Sequence, residues 1–116
     1  MIDPEGDYDA LPRAIALRSS DAKALADDVM SVLEHPAQNA VVNLMDLRLA
    51  DQPSFLQRLL PRLLTLRTAT GRPHWILIDE AHHLLPAAMR KRIWWPSTMS
   101  EVAECESQTF FISRQE

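Results

Sequence analysis

The sequence is short of the residues that build special backbone. It has 2 glycines in 116 residues, Gly6 and Gly71, and neither opens a Gly-rich loop that could cradle phosphate. It has 1 cysteine, so no internal disulfide can form and a reducing setting is the simpler expectation. That residue, Cys105, lies between Glu104 and Glu106, which disfavour a thiolate, and it reads as inert. No apolar run is long enough to span a bilayer. The acidic start Met1-Ile2-Asp3-Pro4-Glu5 lacks the charged-then-apolar pattern of a secretion signal, so the expected compartment is the cytoplasm. Basic charge is also scarce: 12 Lys and Arg stand against 16 Asp and Glu, for a net charge of -4, which excludes a uniformly basic nucleic-acid footprint.

What is present is ordinary globular material. Apolar residues make up 47% and charged residues 24%, a composition that can bury a core without a metal or disulfide staple. The length sets an expectation of one domain. Asp3-Pro4-Glu5-Gly6-Asp7-Tyr8 reads as a loop, and a short strand is expected at Ala14-Ile15-Ala16-Leu17. Ser20 is expected to cap a helix whose apolar face carries Leu25, Ala26, Val29, Met30, Val32 and Leu33 and which ends at His35-Pro36. Ala40-Val41-Val42-Asn43-Leu44-Met45 reads as a strand buried on both faces. Asp51 can cap a second helix with Pro53 in its first turn. Its apolar positions are Phe55, Leu56, Leu59, Leu60, Leu63, Leu64 and Leu66, with a kink expected at Pro61 and a stop at Gly71.

Trp75-Ile76-Leu77-Ile78 and Thr109-Phe110-Phe111-Ile112 complete the set of buried strands. Strands alternating with helices imply a parallel α/β sheet, and functional residues in such sheets gather at the carboxyl ends of the strands. The Trp75 strand is expected between the strands near Val41-Val42 and Phe110-Phe111.

The carboxyl end of that strand carries the chemistry. Four apolar residues lead into Asp79 and Glu80, followed by Ala81, His82 and His83. A strand sends alternate side chains to opposite faces, so adjacent acids at its tip can take different tasks. One can hold magnesium through water, and the next can orient or deprotonate an attacking water. The plainer alternative is that the two acids only cap the next helix. Consecutive histidines diverge, so His82 and His83 read as packing residues around the acids rather than zinc ligands. Trp94-Trp95 beside Arg90-Lys91-Arg92 reads as a helix end with an aromatic pair, with nucleic acid as the other reading.

Gly71-Arg72-Pro73-His74-Trp75-Ile76-Leu77-Ile78-Asp79-Glu80-Ala81-His82-His83-Leu84-Leu85-Pro86 resembles the Walker B region of HerA/FtsK-type ATPases, and Ile2-Asp3-Pro4-Glu5-Gly6-Asp7-Tyr8 resembles their second-strand motif. The two occur in the family's order, and together they span most of the chain. The resemblance implies the parallel-sheet three-layer sandwich of the P-loop NTPases (RecA/ASCE-like), incomplete here, with residues 1–116 forming one partial ATPase domain. It implies Asp79 as the magnesium ligand, Glu80 as the catalytic base and Asp3 as a residue near the nucleotide phosphates, where a turn aspartate ahead of proline is the alternative. The strand after Walker B ends in a polar sensor in this family, for which Gln115 is the candidate and Ser113 the alternative. The implied cofactors are ATP and Mg2+. Nucleic acid and a fused catalytic domain are the partners it leaves open.

The pattern also breaks. No Gly-x-x-x-x-Gly-Lys-Ser/Thr loop exists in the sequence, nor the strand leading into it. Glu104-Cys105-Glu106-Ser107-Gln108 lacks the arginine that hexameric motors place before the sensor strand. Asp79-Glu80-Ala81-His82 also fits a DEAH-type helicase fragment, but no Ser-Ala-Thr motif follows. A non-catalytic, ATPase-derived interaction module is the remaining alternative. A parallel sheet lacking its phosphate-loop strand exposes an edge, so self-association of the isolated chain is expected unless its own residues, such as those from Arg92 to Ser100, cover that edge. Positioning dominates catalysis in this class, and the main positioning element is absent. The isolated chain is therefore expected not to hydrolyse ATP above background in a phosphate-release assay. Micromolar ATP affinity, or turnover abolished by Glu80→Gln, would contradict this.

Overall fold

The computed structural model describes residues 1–72, 74–79, 84, 103–104 and 110–114, the last two segments as backbone. The described elements run β1 (Ile2–Asp3), β2 (Ile15–Arg18), α1 (Ala22–Leu33), β3 (Ala40–Asn43), α2 (Gln52–Thr70), β4 (Trp75–Asp79), β5 (Ala103–Glu104) and β6 (Phe110–Arg114). The fold is α/β. One sheet has the order β2-β3-β1-β4-β6-β5, with every pairing parallel except the antiparallel β5–β6.

The expected neighbours of β4 need one correction. The Phe110 strand does flank it, but the Val41-Val42 strand does not. β1 is inserted between them, with Ile2 in register with both Val42 and Ile78. A two-residue segment is too short to read as a strand by periodicity. It is held there by backbone bonds on the β3 side, Val42 N–H to the Met1 carbonyl at 2.8 Å and Leu44 N–H to the Asp3 carbonyl at 3.0 Å. The far edge of β6 is covered by β5, a segment of the chain itself that lies a little beyond the expected stretch.

The crossovers from β2 to β3 and from β3 to β4 step across the sheet in the same direction. Right-handed connections therefore place α1 and α2 on one face. The two helices pack together, and Arg62 on α2 reaches Asp27 on α1 at 2.6 Å. Beneath them lie Ile2, Val42, Ile76 and Ile78, joined by Leu25, Val29, Phe55, Leu56, Leu59 and Leu84 in one core. The described residues supply this one helical layer. On β4 the opposite face carries Trp75 and Leu77, which are 60% and 38% exposed. β4 thus alternates where burial on both faces is expected, while β3 is buried throughout.

Local chemistry explains the helix ends. α1 starts one residue later than expected: Asp21, not Ser20, is the N-cap, and its carboxylate accepts from the Ala24 N–H at 2.7 Å. Asp51 stands at the N-cap of α2, yet its carboxylate binds Arg48 at 2.7 Å instead of a helix N–H. Pro53 fills the first turn, where its missing N–H costs nothing, and α2 runs unbroken past Pro61. Gly71 ends the helix in the left-handed region, φ 68°, with its N–H on the Arg67 carbonyl at 2.7 Å. Among the described residues no helix is long and apolar enough to cross a membrane.

Two substitutions separate packing from backbone conformation. Phe55 is fully buried, and Phe55→Ala is expected to cost about 3–5 kcal/mol. Gly71 has open space around its missing Cβ, so Gly71→Ala carries only the cost of positive φ, about 1 kcal/mol. Urea denaturation measures both. Equal losses would contradict this packing.

Candidate functional site

Parallel register lines up the last residues of five strands. Arg18 pairs with Asn43, Asn43 with Asp3, and Asp79 with Arg114. Since Ile2 is aligned with Ile78, the next residues, Asp3 and Asp79, fall side by side. The carboxyl ends of β2, β3, β1, β4 and β6 thus carry one polar row, Arg18-Asn43-Asp3-Asp79-Arg114. This is where an open parallel sheet places its functional groups.

Asp3 and Asp79 differ in what they hold. Asp3 is completely buried, and both carboxylate oxygens are engaged. Oδ1 accepts from the backbone N–H groups of Gly6 at 2.9 Å and Glu5 at 3.2 Å, and Oδ2 accepts from that of Tyr8 at 2.9 Å. The Pro4–Tyr8 segment is therefore folded back over the end of β1 by the carboxylate that precedes it. The turn-aspartate alternative describes this geometry directly. Asp79 is only partly buried, and no hydrogen bond or ion pair engages its carboxylate among the described residues. Of the two acids, Asp79 is the one left open to water or a cation.

The loop reaches a second polar group. Asn43, buried at the end of β3, donates its side-chain N–H groups to the Asp9 carboxylate at 2.9 and 3.0 Å and accepts from Met45 N–H at 2.9 Å. Asp9 lies 3.9 Å from Arg18, which makes a two-pronged bond to Asp46 at 2.8 and 2.9 Å. The Arg18 hydrogen bonds hold the Asp46 carboxyl below its ordinary range, and Asp46 in turn raises the guanidinium. Sequence reasoning missed Asn43, Asp9, Arg18 and Asp46. The available signal was Asn43, a polar residue closing the buried run Ala40-Val41-Val42 as Asp79 closes β4.

Gly6 is required where it stands. Its φ is 79°, and a Cβ there would lie 2.7 Å from Met45 Sδ and 2.9 Å from Asn43 Nδ2. Glu80, His82, His83, Trp94, Trp95, Cys105 and Gln115 lie outside the described residues, and Ser113 is described only as part of the β6 backbone. Among the described residues no group of three or more His, Cys, Asp or Glu is placed to hold a metal. No family model matches the chain, and neither the curated proteins nor the solved structures provide a match.

Asp3→Asn is expected to cost about 1–3 kcal/mol, because an amide turns an N–H toward loop N–H donors that need an acceptor. Gly6→Ala should destabilise to a similar degree through the clash with Asn43 and Met45 and the unfavourable φ. Urea unfolding checks both, and unchanged stability in Asp3→Asn would show that the loop does not depend on this carboxylate.

Proposed function

We propose that the chain is the cation-binding and water-activating part of a nucleotide-hydrolysing domain of the HerA/FtsK-like type. One observation carries the reading: Asp79 stands at the carboxyl end of a parallel strand with strands on both sides, and its carboxylate is uncommitted among the described residues. The neighbouring acid Asp3 is fully engaged, so the pair has one structural and one available member.

The donor set suits magnesium. That ion keeps most of its waters and binds proteins through one or two carboxylates, completing its shell with substrate phosphates. One open carboxylate beside a buried one meets that requirement, whereas an all-protein cage would need several. In this reading Asp79 holds Mg2+ through water. Bound Mg2+ supplies charge neutralisation at the nucleotide phosphates. Glu80, the next residue, orients and deprotonates the attacking water, and Gln115 after β6 is the polar sensor. Asp3 shapes the floor of the site by fixing the loop over β1. The triphosphate anchor is not in this sequence, so these residues make half of a site. ATP, and beyond it nucleic acid or a fused catalytic domain, are the partners of the complete domain.

A non-catalytic module derived from such an ATPase is the second reading. It is favoured by the commitment of Asp3 to the loop, which leaves it no oxygen unoccupied by a backbone donor. Binding of Mn2+ in place of Mg2+ separates the two, read as paramagnetic broadening of backbone amide signals in the full chain. The ATPase reading expects broadening centred on Ile78, Asp79 and Asp3, with affinity reduced at least tenfold in Asp79→Asn. Broadening confined to the exposed acids Glu5 and Asp7 and unchanged in Asp79→Asn would overturn it.

A further inference from the structure

A cavity of about 830 Å3 runs along the whole of β4, bordered by β1, the start of β3, the end of α1 and the middle of α2. Its size falls in the range of small-molecule sites, roughly 300–1,000 Å3. The walls are mostly apolar and include Leu33, Leu63, Ile76 and Trp75.

The polar groups are unevenly placed. Arg72 and His74 line the cavity on the segment between α2 and β4. Arg72 donates one N–H to the Glu34 carbonyl at the end of α1, 3.1 Å away, which fixes the guanidinium while using one of its five donors. His74 Nδ1 is buried with no hydrogen-bond partner among the described residues. Burial, then the positive charges of Arg72 and Arg67, lower the His74 pKa and favour the neutral ring, which can donate from Nδ1. The one carboxylate among the described lining residues is Asp79, at the far end of β4, roughly 13 Å along the strand at about 3.3 Å per residue. One end of an apolar cavity thus carries a guanidinium held by one bond, with no acid beside it among the described lining residues.

We infer that this cavity is a binding site for a small amphipathic carboxylate. The carboxylate sits on the Arg72 fork, and its hydrocarbon body lies along Leu33, Leu63 and Ile76. One full positive charge matches a monoanion, and the planar guanidinium matches the two oxygens of a carboxylate. The Arg72 end lies away from the carboxyl-end row, whose Asp79 borders the far end of the same cavity, and the assignment does not depend on the function of that row.

Calorimetric titration of the full chain with decanoate, decanol and decyl phosphate, each below its aggregation limit, tests this. Decanoate is expected to bind one to one and at least tenfold more tightly than decanol. Arg72→Gln should bring decanoate to the affinity of decanol without changing decanol itself. Ala14→Leu, which narrows the cavity, should weaken both. Circular dichroism checks that each variant folds, and if one does not, the decanoate-to-decanol ratio on the unaltered chain decides. No binding, equal affinity for decanoate and decanol, or a tenfold preference for decyl phosphate would each overturn the assignment.

Discussion

The buried carboxylate of Asp3 is the constraint on which the carboxyl-end surface depends. A completely buried charged group is tolerable only when its oxygens are satisfied, and three backbone N–H groups of the following loop satisfy these. The same bonds bring the loop over β1 and set Asp9 against Asn43. They also demand a residue without Cβ at position 6, where the chain passes Met45 and Asn43 closely. One side chain therefore links the two-residue strand β1, its covering loop and the polar end of β3.

That constraint gives the two acids of the row different standing. Asp3 is fixed and inward, whereas Asp79 is open at the end of a strand flanked on both sides. A magnesium site needs the second kind of acid, held in place by the first kind of architecture. The proposed ATPase role rests on this division, with Glu80 placed by its position in the chain. The cavity along β4 has a different character, apolar with a cationic end at Arg72.

Much of the fold was legible because burial imposes period. The helix faces of α1 and α2 follow their 3.6-residue spacing, and the strands at Ala40 and Trp75 announce themselves as short apolar runs. The place of Asp79 at the end of β4 followed from the apolar run before it, and the rule that parallel sheets work at their carboxyl ends made it a candidate. Two features were not legible, and a third only as an alternative reading. β1 is two residues long, so no pattern could show that it separates β3 from β4. The cap of α1 moved from Ser20 to Asp21 because both residue types can cap, and a carboxylate can bind the Ala24 N–H as a hydroxyl would. The engagement of Asp3 by its own loop is set by φ values and distances, which the letters Asp-Pro-Glu-Gly-Asp-Tyr permit but do not specify.

Amide hydrogen exchange at Gly6 and Tyr8 decides whether the Asp3 carboxylate holds the loop, since these two N–H groups make the 2.9 Å bonds to it. They lie in a loop and would exchange freely without the carboxylate. Slow exchange is expected at both, comparable to the Leu44 amide that binds the Asp3 carbonyl. Exchange at the rate of an open loop, with Leu44 still protected, would contradict it.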